Sequence, residues 1–332
     1  MPGQSEVVEW DNLIGSTPLL KLDRLLPDAP FRLYAKLEMC NLGGSMKDRS
    51  SLRILKDALE KGAVKPGATI IESSSGNMGI GLAQACKRYG LRFICVVDER
   101  TNQQNLKILR ALGATLEMVS QTDPAKSLLE TRLERVRELL DTIPGSYWTN
   151  QYSNPENPAS YLPLMSEIDA ALDGKIDFLF CATGTCGTIR GCNAYVKKHH
   201  LPTTVVAVDA IGSAIFGCKP KPRLIPGHGT AIRPPLFRPG MADEVIHVSD
   251  HDCVTGCREL MDTEAILAGG SSGAIVTALQ RFAPHIPAGA NVVLILGDRG
   301  ERYLDTIYDD NWVAEHFEQA PIQQMKEVTH AG

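Results

Sequence analysis

The chain lacks any apolar run approaching the roughly 20 residues that a membrane-spanning helix needs. Its N-terminal stretch, MPGQSEVVEW, has neither a basic start nor an apolar segment, so a cytoplasmic location is the expectation. An excess of positive charge is also missing: 34 Lys and Arg stand against 39 Asp and Glu, a formal charge of -5. That balance argues against nucleic acid or an anionic membrane surface as the main partner, since both select a basic face. The nine cysteines are odd in number, form no C-x-x-C pair and sit mostly inside apolar runs. Buried reduced thiols are therefore expected, with no disulfide framework and no metal site. Neither an internal repeat nor a low-complexity tract is present.

What is present is an alternation of short β-branched runs and helical stripes. ATIIES (68–73), RFICVV (92–97), KIDFLFCA (175–182), TTVVAVD (203–209) and NVVLILG (291–297) read as buried strands. Between them lie i, i+3, i+4 patterns such as Leu52, Leu55, Ala58 and Leu59, or Leu82, Ala83, Cys86 and Tyr89. Strand–helix–strand repetition of this kind builds a mostly parallel sheet covered on both faces. The Asn-, Ser- and Pro-dense TNQYSNPENPAS (149–160) marks a change of domain, and 217–240, with six prolines, reads as a functional lid.

Four stretches carry chemistry. In NLGGSMKDRS (41–50), Ser45 and Asp48 read as a capping-box-like helix start with Lys47 at its mouth. A positive helix end favours the neutral, nucleophilic amine, which can form a Schiff base with an aldehyde; a solvated surface lysine is the plain alternative. SSSGNMG (73–79) follows a strand and opens a helix, a place where free amides, small hydroxyls and the Asn77 amide can hold a carboxylate, although such a turn is also common punctuation. ATGTCGTIRG (182–191) repeats the setting and suits a single phosphate, because it has neither the Lys of a nucleotide P-loop nor the G-x-G-x-x-G of a dinucleotide fold. GGSSG (269–273) precedes the helical AIVTALQRF and alone is no more than a cap.

In this order the four stretches resemble the cysteine synthase and cystathionine β-synthase family of fold-type II pyridoxal-phosphate enzymes. The likeness begins at GSTPLLKL (15–22) and YAKLEMCNLGGSMKDR (34–49), reaches LGDRGERYLD (296–305), and so covers nearly the whole chain. It implies an α/β fold of two domains, each with a mostly parallel twisted sheet flanked by helices. The smaller, mobile domain would span 42–155 and the larger, cofactor-binding one 1–41 plus 156–325, with 326–332 a disordered tail. It implies pyridoxal 5'-phosphate joined to Lys47 as a Schiff base, with Asn77 on the pyridine hydroxyl. Gly184, Thr185, Cys186, Gly187 and Thr188 would hold the phosphate, and Ser271 would face the ring nitrogen. Ser74, Ser75, Gly76, Asn77 and Met78 would clasp an amino-acid carboxylate. A homodimer is implied as well, while no haem-binding extension or C-terminal regulatory domain is expected.

A serine at the ring nitrogen gives a weaker electron sink than a carboxylate would. That suits β-elimination and replacement through an α-aminoacrylate over transamination. The second substrate is signalled by AKSLLETRLERVRELL (125–140), where Leu128, Leu129, Leu133, Val136, Leu139 and Leu140 share an arc at about 100° per residue. Arg132 falls inside that arc, Arg135 and Arg137 on its borders. A guanidinium among leucines either pairs with an internal acid or awaits a ligand carboxylate. GGSMKDR, TRLERV, YWTNQYSN, GSAIFGCKP and AGGSSGA are similar to the branch that joins O-phospho-L-serine to L-glutamate, giving N-(2-amino-2-carboxyethyl)-L-glutamate, a precursor of 2,3-diaminopropionate in siderophore and antibiotic pathways. By that similarity Arg132 and Tyr152 are glutamate ligands and Thr185 touches substrate. Cysteine synthesis from O-acetylserine or O-phosphoserine plus sulfide is the alternative. Two departures stand out: Leu42, where a proline is usual in the run before the lysine, and His228, where an apolar residue is usual and a histidine could alter the closing loop or add a charge near substrate.

Overall fold

The computed structural model describes residues 7–121 and 126–317, so the expected tail at 326–332 lies outside the described residues. Among the described residues ten strands form two sheets: β1 (Leu19–Leu22), β2 (Arg32–Leu37), β3 (Thr69–Ser73), β4 (Arg92–Asp98), β5 (Thr115–Val119), β6 (Tyr147–Trp148), β7 (Phe178–Ala182), β8 (Thr204–Ala210), β9 (Glu244–Val248) and β10 (Asn291–Leu296). The smaller sheet has the order β5-β4-β3-β6 and the larger β1-β2-β10-β7-β8-β9. Every pairing is parallel except β1 with β2.

Parallel strands buried on both faces send alternate side chains to two cores. In the smaller sheet Ile70, Phe93, Cys95 and Val97 meet Ile54, Leu55 and Leu82 of the helices Lys47–Glu60 and Asn77–Arg88. Ile71 and Val96 point the other way, onto Val136 and Leu139 of the helix Leu128–Thr142. In the larger sheet Val292, Leu294 and Leu296 pack with the helices Asp250–Glu264 and Gly270–Phe282. Val293 and Ile295 pack with the helices Leu162–Ala171 and Gly187–Lys198.

The five expected strands are all present. The other five are edge strands or carry charge: β5 and β9 are mostly half-exposed, β6 has two residues, β1 is the antiparallel edge, and β2 holds Arg32 and Lys36. Three helices, Lys47–Glu60, Asn77–Arg88 and Gly187–Lys198, start just beyond the carboxyl ends of β2, β3 and β7. A fourth, Gly270–Phe282, is brought beside the end of β10 by a bridge between Ala268 and Arg299. Ligands of open α/β sheets bind in this crevice.

The lysine-bearing helix is pinned by a buried ion network. Arg49 Nε and Nη2 donate to the two Glu38 oxygens at 2.7 and 2.8 Å, and Nη1 and Nη2 donate to Glu167 at 2.8 and 2.7 Å. Lys36 Nζ sits 2.6 Å from Glu167 and donates to the Thr17 carbonyl at 2.5 Å, while Thr17 Oγ1 donates to Glu38 at 2.6 Å. Burial pushes the Glu167 pKa up, but Arg49 and Lys36 outweigh it and hold the carboxyl at about 2. That contribution to stability is present above the ordinary value of 4.5 and is lost as pH falls toward about 2. Replacing Arg49 with Met keeps much of its volume but leaves Glu38, 0% exposed, without a cation. The expected cost is about 3–5 kcal/mol in urea unfolding at neutral pH, partly recovered when Glu38→Gln is added. A loss below about 1 kcal/mol, the value of an exposed pair, would contradict the role given to the network.

Candidate active site

One cavity of about 1010 Å³ lies between the two sheets and is lined by every residue assigned to cofactor or substrate from the sequence: Lys47, Ser74, Ser75, Gly76, Asn77, Met78, Arg132, Tyr152, Gly184, Thr185, Cys186, Gly187, Thr188 and Ser271; His228 and Leu42 do not line it. Four chain turns bring all of these lining residues except Arg132, which lies on the helix Leu128–Thr142, and Tyr152, which lies on the segment after β6.

Lys47 is the first residue of its helix, whose N-cap is Met46 with no side-chain cap, so the capping-box reading is corrected. Ser45 Oγ accepts from the Lys47 amide at 3.2 Å, and the Asp48 carboxylate turns away to accept from the Gly43 amide at 2.6 Å. Burial is the chief cause that raises Asp48 to about 7. Its ionisation therefore opposes folding increasingly as pH rises from 3.8 through that value. The Lys47 amine takes part in no hydrogen bond or ion pair among the described residues and borders the cavity.

The turn after β3 is held by Ser74, whose Oγ accepts from the Gly79 amide at 2.9 Å and the Gly76 amide at 3.3 Å. That hydroxyl caps the helix, leaving Ser75 as the freer hydroxyl on this loop. Met78 offers the cavity its backbone, since its side chain belongs to the smaller sheet's core. Asn77 Nδ2 donates to Asp298 Oδ2 at 2.8 Å, and its Oδ1 is buried without a partner among the described residues.

At the turn after β7, Cys186 takes a left-handed conformation at φ 65° and is the N-cap of the following helix. Burial pushes its thiol up to about 12, so it serves by backbone geometry and not as a nucleophile. A side chain on Gly187 would overlap the Asn157 carboxamide, and one on Gly184 would lie 3.1 Å from the Gly227 carbonyl. Asn157 Nδ2 in turn donates to Thr185 Oγ1 at 3.2 Å and to the Gln151 carbonyl at 2.6 Å. Ser271 lies in the first turn of its helix, 3.3 Å from where a side chain on Gly297 would begin.

Both readings of Arg132 meet in the structure. Its Nε lies 3.3 Å from Asp98 Oδ2, an ion pair, yet Nε and Nη1 are buried without hydrogen-bond partners. Tyr152 stands within electrostatic reach of both Arg132 and Arg223, and burial raises its phenol. It is carried on a segment fixed by Glu72, a residue given no role from sequence. That carboxyl, 0% exposed, accepts from Thr149 Oγ1 at 2.6 Å and from the Gln151 amide at 3.0 Å.

Sequence reasoning also passed over Arg223, Asn157 and Asp298. Arg223 borders the cavity from the 217–240 segment, its Nη1 donates to the His228 carbonyl at 2.5 Å, and its Nε is buried without a partner among the described residues. Its arginine in a proline-dense loop was the available signal. His228 is 1% exposed, and burial, followed by Arg223, drives it down to about 3. It is neutral at pH 7, so the expectation that it adds charge near substrate is overturned. Leu42 is an exposed turn residue. Cys40 and Cys218 are exposed and the other seven cysteines are buried and free, as expected for most of them.

The donor set fits pyridoxal 5'-phosphate. An amine without a partner among the described residues suits an aldehyde, first-turn amides and threonine hydroxyls suit a phosphate, and the orphaned Asn77 oxygen and Ser271 suit the polar edge of a pyridine ring. The sequence matches the family described as pyridoxal-phosphate dependent enzyme over residues 11–298, and the chain belongs to it. More narrowly, it is 47% identical over 302 residues, 91% of its own length and 89% of the relative's, to the N-(2-amino-2-carboxyethyl)-L-glutamate synthase of Ralstonia nicotianae (strain ATCC BAA-1114 / GMI1000). Its fold matches the crystal structure of the O-acetylserine dependent cystathionine β-synthase from Helicobacter pylori, with TM-score 0.85 and 32% identity over 92% of this chain and 100% of that one. It matches O-ureido-L-serine synthase equally well, with TM-score 0.85 and 30% identity over 96% and 98%. The molecule is thus an α/β fold-type II enzyme that uses pyridoxal 5'-phosphate for β-substitution.

Gly187→Ala tests the phosphate turn, because its methyl displaces Asn157 from Thr185. Equilibrium titration of the cofactor is expected to show affinity weakened about tenfold or more, roughly 1.4 kcal/mol. Unchanged affinity would remove this turn from the cofactor site.

Proposed function

We propose that the enzyme joins O-phospho-L-serine to L-glutamate, releasing phosphate and N-(2-amino-2-carboxyethyl)-L-glutamate. The observation that carries this reading is the incompletely paired Arg132, whose Nη1 has no partner among the described residues and which shares the cavity with Tyr152 and Arg223. A buried guanidinium without a full partner is costly, and an anionic amino-acid nucleophile would complete it. Sulfide would not. The name of the Ralstonia relative agrees with this substrate pair.

When bound, the cofactor supplies an electron sink that acidifies the substrate Cα–H and lets the β-substituent leave. The loop Ser75–Asn77 would hold the phosphoserine carboxylate at the start of its helix, where the helix dipole favours an anion. Lys47 Nζ, displaced by the incoming amino group, would accept the Cα proton and return it after replacement. Arg223 places positive charge in the cavity for the departing phosphate. Arg132 and Tyr152 would then orient glutamate through a carboxylate, the arginine making the charge-assisted bonds that Asp98 leaves open. The smaller sheet lies within 42–155, which supports treating that span as the mobile domain; a homodimer in the cytoplasm belongs to the same reading.

Lys47→Ala is expected to abolish turnover and the visible absorption of the bound cofactor. Arg132→Leu is expected to raise KM for glutamate by about tenfold or more, from a lost charged hydrogen bond, with bleaching by phosphoserine unchanged. Mass spectrometry of reactions containing phosphoserine with glutamate or with sulfide tests the substrate pair. The joined glutamate product is expected; turnover with sulfide alone would make the enzyme a cysteine synthase instead.

A further inference from the structure

The turn after β10, Gly297–Asp298, touches each of the chain turns to which the cofactor's aldehyde and ring are assigned. The Gly297 carbonyl accepts from the Met46 amide at 2.8 Å, and Asp298 forms a bridge with Ser45, two residues before Lys47. The Asp298 carbonyl accepts from the Gly269 amide at 3.0 Å, and the Gly297 amide donates to Ser272 Oγ at 3.2 Å, on either side of Ser271. The Asp298 side chain completes the set: Oδ2 accepts from Asn77 Nδ2 at 2.8 Å and from the Tyr303 hydroxyl at 2.6 Å. Asp298 is 3% exposed, borders the cavity and makes no salt bridge among the described residues.

We propose that Asp298 is a positioning residue that fixes the orientation of the Asn77 amide and thereby sets the protonation state of the cofactor's phenolic oxygen. The inference rests on the reading that Asn77 faces that oxygen. Two effects of the same sign follow. A carboxylate accepts only, so it draws the Asn77 amino group toward itself and leaves Oδ1, an acceptor without a partner, as the group offered to the cofactor. An acceptor favours a phenol that keeps its proton. The negative charge one amide away also disfavours a phenolate, because like charges at short range in a desolvated site oppose each other. A serine or an amide at position 298 carries no charge and can donate as well as accept, so it would not compel this orientation.

The ionisable groups around Asp298 are few among the described residues. Tyr303 bonds it directly, Cys257 and Tyr308 feel its charge, the Arg302 guanidinium acts on Tyr303, and Lys47 borders the same cavity. Burial raises Cys257, Tyr303 and Tyr308. They therefore stay protonated through the neutral range, and the phenolic oxygen is the group expected to respond.

The test uses cofactor-loaded enzyme without substrate, so its outcome does not depend on which nucleophile the enzyme accepts. The visible absorption of the bound cofactor is titrated with pH in wild type, Asp298→Asn and Asp298→Ser. Both variants are expected to form the phenolate band at lower pH, the midpoint falling by about one unit or more. The two substitutions differ in size and hydrogen bonding but share the loss of charge, so either one that folds decides the question. A midpoint within about 0.3 of wild type in the fraction that retains cofactor would overturn the proposal, as would a loss of occupancy with no spectral shift. Asn77→Ala separates the premise from the inference: an unchanged cofactor spectrum in that variant would mean that Asn77 does not face the ring, whatever Asp298 does.

Discussion

Arg49 carries two carboxylates on one guanidinium, and the active site depends on that constraint. Glu38 follows β2 and Glu167 lies on the helix Leu162–Ala171. The arginine, two positions after Lys47, therefore joins the lysine helix to the larger sheet and to a helix packed on it. All four nitrogen–oxygen contacts are 2.7–2.8 Å. A bidentate guanidinium allows little rotation. The helix cannot turn about its axis without breaking these bonds, so the direction of the Lys47 side chain is set by a residue that never meets substrate.

That arrangement explains why a cation stands at the unfavourable end of a helix dipole. Its neighbours are turned to structural bonds, Asp48 Oδ2 to the Gly43 amide and Arg49 to its two carboxylates, whereas the Lys47 amine has no partner among the described residues. The opposite logic governs the other helix starts. After β3 and β7 the chain offers amides, small hydroxyls and glycine, groups that complement anions. One amine surrounded by anion-binding turns is what an aldehyde bearing a phosphate and an amino acid bearing a carboxylate require together.

Much of this was legible in the sequence because the central strands are continuous apolar runs and the turns after them are written in Ser, Thr, Gly and Asn. All residues nominated from those turns reached one cavity. What was illegible depended on partners distant in sequence. β2 was missed because Lys36 interrupts its apolar pattern, and Lys36 is buried through the Thr17 carbonyl and through Glu167, the latter far along the chain. Glu72 looked like a strand residue and proved to anchor the segment that carries Tyr152. His228 suggested a charge until its burial was known, and the half-satisfied state of Arg132 could not be foreseen, since Asp98 lies on β4 and only the fold brings it within 3.3 Å.

The central claim is that Lys47 is the covalent anchor of the cofactor. Borohydride reduction of the purified enzyme, followed by proteolysis and peptide mass mapping, tests it most directly. The account predicts a single pyridoxyl-phosphate adduct, located on the peptide containing Lys47. An adduct on a different lysine, or a chain that takes up no adduct when supplied with excess cofactor, would contradict it.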